Sequence, residues 1–321
     1  MTNRLLTPLA CLLMLSIAAF CQAVPNDNFA DEKTRNIVGG RKVLITVTQN
    51  AIEPRIDYYL PNRPVTASEL YDIRQLTMLA AQESVPLVQA LVGYEFTAPL
   101  EAALRPTVEK SAWLRPQDVE FSEHGTQDFV LDKLDEANTR QMLLLYTNYH
   151  TDPKFAAVIV ELKISLLVRK IPKGQYRACR LKPKYIPYEQ IIRSVVRLPD
   201  LDSRNLFKLP EAEAQDRRNN VERWAANDGL LARRALDAGI AAVSAMVPIS
   251  IELDEQQAKE WRSRGDRKTQ KVEGVFGWVR ERDSKGVLMI DARDGAWTRI
   301  QIASDLPPSP NSSRDKVLRP Q

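Results

Sequence analysis

Histidine, cysteine and glycine are the scarce residues of this chain: two His, three Cys and 12 Gly among 321 residues. Two histidines, His124 and His150, with no second His, Cys or carboxylate at ligand spacing, leave no metal motif of the zinc type. So little glycine leaves no phosphate-cradling loop, no dinucleotide turn and no Gly-x-Ser-x-Gly elbow. Ser313-Arg314-Asp315-Lys316 matches Ser-x-x-Lys only inside a charged, Pro-rich tail. No cofactor is therefore expected, and the sequence names no catalytic residue.

The cysteines speak to compartment. Cys11 lies within, and Cys21 directly after, an apolar N-terminal run, Leu5 to Phe20, that follows Arg4 and precedes Ala23. This is the layout of a secretory signal. A lipoprotein peptidase needs a Leu-like residue three places before its Cys and a small residue directly before it. Ala18 and the bulky Phe20 occupy those places before Cys21, whereas Cys21 and Ala23 supply the small −3 and −1 side chains of an ordinary cleavage site. Cleavage after Ala23 is predicted over lipidation at Cys21, giving an exported, periplasmic protein. Cys179 is then its only thiol, so no internal disulfide is expected. The cations of Arg177 and Arg180 favour a thiolate there, but with no His nearby in sequence a small residue on a strand is the commoner reading of Cys179.

Long apolar runs are also missing after the leader, so no transmembrane segment is expected in the mature chain. A sequence pI near 8.9 raises nucleic acid as a partner. However, 45 Lys and Arg are interleaved with 41 Asp and Glu, which reads as a mixed solvated surface and not a nucleic-acid stripe.

What is present is an alternation of helical and strand patterns. Val43–Thr48 is β-branched and reads as a strand. Thr66-Ala67-Ser68-Glu69 has capping-box spacing, and Leu70, Ile73, Leu76 and Leu79 follow at helical intervals. This helical region runs to Trp113, interrupted near Pro86 and bent at Pro99 or Pro106. Met142–Tyr146 and Ala157–Val168 flank Thr151-Asp152-Pro153-Lys154 and predict an antiparallel hairpin. A strand follows over Tyr188–Leu198, with Arg193 and Arg197 on its more exposed face. Residues 211–247 carry Val221, Trp224, Leu231, Leu236, Ile240, Val243 and Val247 on one helical face, nicked at Asn227-Asp228-Gly229 and ended by Pro248. A short helix starts at Asp254, capped by Gln257. Strands at Val272–Val279, Val287–Ile290 and Trp297–Ile302 form a meander.

The expected fold is α+β: an antiparallel sheet covered on one face by helices, with a small C-terminal β-meander as an accessory piece. The expected organisation is a signal peptide over 1–23, an α+β domain over 24–253, a short helix and meander over 254–303, and a disordered tail over 304–321.

Candidate binding residues fall into two groups. His150 sits at the hairpin turn beside Tyr146 and Tyr149, a grouping suited to a sugar or peptide, although an exposed turn His is the commoner case. Phe276, Trp278 and Trp297 in the meander suit an aromatic groove or, more commonly, a small core. Asp200 and Asp202 form a carboxylate pair suited to a cation or to the acid and base of a hydrolase, although a solvated Pro-Asp loop after a strand is the commoner case.

Tyr149-His150-Thr151-Asp152-Pro153-Lys154-Phe155 between two strands, with Trp224–Gly229 and Arg233–Gly239, resembles uncharacterised envelope proteins of Gram-negative bacteria, several of them lipoprotein-like. The order of elements over about residues 40–253 is similar to the small α/β domains of curli-secretion and Tol-type periplasmic proteins. Together with the export signal and the absence of catalytic patterns, that resemblance points to a non-enzymatic binding or assembly factor whose partner is an envelope protein or cell-wall component. It implies no functional residues. An exported hydrolase and a secreted factor acting on other cells are the alternatives.

Overall fold

The computed structural model describes residues 41–49, 51–55, 67–136, 141–168, 185–199, 210–254, 256–257, 260 and 268–307. The predicted signal, Cys179, Asp200, Asp202 and the predicted tail beyond 307 lie outside the described residues. The chain runs β1 (Arg41–Val47), β2 (Glu53–Pro54), α1 (Ala67–Glu83), α2 (Val85–Ala90), α3 (Thr97–Glu109), β3 (Pro116–Ser122), α4 (Gln127–Glu136), β4 (Gln141–Thr151), β5 (Ala157–Val168) and β6 (Tyr185–Arg197). It continues with α5 (Pro210–Glu252), β7 (Gln270–Val272), β8 (Val275–Asp283), β9 (Gly286–Asp291) and β10 (Trp297–Ile302).

All the strands join one 10-stranded sheet in the order β3-β1-β4-β5-β6-β10-β9-β8-β7, with β2 paired to β4. The expected antiparallel sheet is corrected to a mixed one. β1 runs parallel to both β3 and β4, and β10 runs parallel to β6. Each parallel pair is joined through helices or a long excursion, the only kind of connection that brings a chain back in the same direction. The meander is also corrected from an accessory piece to a continuation of the main sheet through β10. Glu273 and Gly274, both at positive φ, turn its first predicted strand back on itself to make the β7–β8 hairpin.

Helices on one face only is a further correction. Val43, Ile45, Leu143, Leu145, Val160, Leu162, Ile192 and Val196 point to one side and form a core with α2, α3 and α5. Leu44, Met142 and Leu167 point to the other side and are covered by Val130 and Leu134 of α4. From β1 the chain steps outward to β3 through α1–α3, then back past β1 to β4 through α4. Two crossovers of the same hand in opposite directions require helices on opposite faces.

The long helix α5 is two helices across a break. Ala226 is extended, and Asn227, Asp228 and Gly229 are left-handed, at φ 52, 56 and 70. The second half lies so close to the sheet that a Cβ on Gly239 would overlap Val160, 3.0 Å from that residue's own Cβ. Pro248 does not end the helix, which continues to Glu252. Its last carbonyls are held from outside: the Tyr188 hydroxyl donates to Ser250 O at 3.0 Å and Trp113 Nε1 donates to Ile251 O at 2.6 Å. Beyond it, Asp254 and Gln257 cap each other's backbone N–H at 2.7 and 3.1 Å, the reciprocal box their spacing predicts. By length and composition α5 passes the test for a membrane span, and 56% of its apolar window is buried within the fold.

Candidate functional site

Among the described residues, the face of the sheet away from α5 carries a dense set of charged groups. Pairing places Asn148, Glu161, Arg193 and Thr298 in one row across β4, β5, β6 and β10. Arg193 donates through Nε and Nη2 to Glu161 Oε2 at 2.9 and 2.6 Å, through Nη2 to Asp294 Oδ2 at 2.8 Å, and through Nη1 to Asp291 Oδ2 at 3.4 Å. Arg55 takes the other Glu161 oxygen at 3.0 Å, and Arg293 Nη2 takes Asp291 Oδ2 at 2.7 Å. Three guanidinium groups thus face three carboxylates.

Asp291 is fully buried and Glu161 and Arg193 nearly so, which corrects the expectation that Arg193 lies on an exposed face. Burial alone pushes the Glu161 carboxyl up, but Arg193, Arg55 and their hydrogen bonds outweigh it and hold the pKa at about 2. Burial likewise raises Asp291, and Arg293 reverses it to a lowered value. Glu161 and Asp294 raise Arg193 against its own desolvation. Neither buried carboxylate is poised near neutrality to exchange a proton, so the cluster acts as a clamp between β5, β6 and the turn after β9.

His150 belongs to the edge of this cluster and not to an exposed turn, because β4 runs on to Thr151. It is 5% exposed, its Nδ1 lies 3.1 Å from Asn148 Oδ1, and burial pushes its pKa down to about 3. The imidazole is neutral and Nδ1–H donates to the amide oxygen. The sign of the pH effect follows. An unfolded His150 takes up a proton as pH falls through 6.5, whereas the folded one stays neutral down to about 3. Stability is therefore present above pH 6.5 and is lost across that window, by an expected ~1–3 kcal/mol. Urea unfolding at pH 7.5, 6 and 5 checks this: the midpoint falls in the native protein and falls less in His150→Gln. A native midpoint flat over that range refutes it.

The three residues predicted to cluster at the hairpin are not brought together. Tyr146 and His150 share the charged face, while Tyr149 alternates to the core side and stacks on Phe96 at 4.1 Å. Burial, then the charge of Glu53, pushes the Tyr149 hydroxyl up to about 12. In the meander, Trp278, Ile290 and Trp297 form one cross-strand row. Trp297 is core at 3% exposure, Trp278 is half-buried, and Phe276 is 49% exposed. Trp297 thus lies inside the fold and Phe276 outside it.

The exposed apolar side chains gather elsewhere. Tyr71, Leu76, Met78, Leu79, Val85 and Val92 lie on α1, on α2 and in the turn after it. Leu230, also exposed, follows the break in α5. Arg233 joins the last two places, donating to Asp228 O at 3.1 Å and to Ala90 O and Val92 O at 3.0 and 3.2 Å. Tyr94 adds a hydrogen bond to Asp237 at 2.8 Å. The helical period of Leu76 and Leu79 suggested a core stripe, yet both are more than 40% exposed and only Ala80 is buried among the described α1 side chains. Nothing in the sequence distinguishes these leucines from core leucines. The contrast appears only once the layer beneath them is full.

No family model, curated protein or solved structure matches this chain. Among the described residues, no group of three or more His, Cys, Asp or Glu is placed to hold a metal ion. The geometry therefore offers two features, an internally neutralised charge clamp and an exposed apolar surface on the helical layer.

Proposed function

We propose that this chain is an exported envelope protein that works without catalysis, as a binding or assembly factor, and that it docks through the outer surface of α1 and α2. The concentration of exposed apolar side chains there carries the reading: of eight large exposed apolar residues among the described ones, six lie between positions 71 and 92. Contiguous apolar surface outside the core is characteristic of interaction sites. The clamp supports it from the other side, since its buried carboxylates are held ionised by arginines and not left available for chemistry. Export rests on the N-terminal pattern that predicts cleavage after Ala23, and the partner is an envelope protein or cell-wall component.

A photo-crosslinking side chain at position 78, installed in cells, tests the docking surface. The expected result is a discrete crosslinked product from the envelope fraction, absent when the probe replaces Lys163 on the opposite face. Equal labelling from both positions overturns the reading. Intact mass of the recovered protein tests export, with a chain beginning at Val24 expected and a lipidated Cys21 contrary to it.

A further inference from the structure

We draw no further inference here: the strongest candidate, the exposed apolar surface of α1, α2 and the turn after it around Tyr71, Met78 and Val92, belongs to the docking surface already described, and nothing in the structure shows what covers it.

Discussion

Replacing Arg193 by methionine is expected to lower the unfolding free energy by about 3–5 kcal/mol, read as a reduced urea midpoint at unchanged slope. Methionine fills similar volume but leaves Glu161 and Asp291 buried without the cation that the fold closes around them. Glu161 retains Arg55 on one oxygen only, and Asp291 retains Arg293. Arg193→Lys is expected to recover part of the loss, since one ammonium cannot replace the planar fork that reaches Glu161, Asp291 and Asp294 together. The double variant Glu161→Leu with Arg193→Met is expected to be more stable than Arg193→Met alone, because it removes the stranded charge along with its partner. The penalty of the single variant also shrinks on acidification. Without Arg193, Glu161 loses the largest influence holding its pKa at about 2, and it protonates in milder acid. A single variant within about 0.5 kcal/mol of the native protein at neutral pH refutes the clamp.

The clamp also shows where sequence reading stops. Its members are distant in the chain and meet only through register: Asn148 opposite Glu161, Glu161 opposite Arg193. Before register is known, Glu161 and Arg193 look like the polar face of half-buried strands, which is why Arg193 was expected outside. The β4–β5 hairpin was legible, because two aliphatic runs and a Pro-containing turn between them are local signals. The parallel partners of β1 were not, since a β-branched run declares a strand without declaring its neighbours. β3 escaped altogether: Pro116-Gln117-Asp118-Val119-Glu120-Phe121-Ser122 holds little β propensity, and it is a strand because it lies on β1, with Glu120 paired to Lys42 and Lys133. Pro248 misled in the opposite sense. The helix passes through it because Ile251 is buried and Tyr188 and Trp113 hold the carbonyls beyond, a tertiary effect larger than the local cost of proline.

Trp224→Ala is expected to cost about 3–5 kcal/mol, the range for emptying a large aromatic site in a packed core. Trp224 is wholly buried on the first half of α5, and its Nε1 donates to Phe155 O at 2.8 Å. Asn220, one turn earlier, donates to Lys154 O at 2.9 Å. The β4–β5 turn needs this support. Phe155 sits at φ 51, a conformation unfavourable for a bulky side chain, and its ring is fully buried. Asp152 contributes from within by accepting the Ala156 and Ala157 N–H groups. Trp224→Phe separates the two roles of the indole. It keeps most of the packing but leaves the Phe155 carbonyl without its donor, for an expected loss of about 1–3 kcal/mol. Hydrogen exchange gives the more specific readout: amides of residues 152–157 are expected to lose protection in Trp224→Phe beyond the loss at the centre of β5. Protection lost equally along the whole sheet would mean that Trp224 contributes only bulk, and that the hairpin turn holds its left-handed Phe155 without α5.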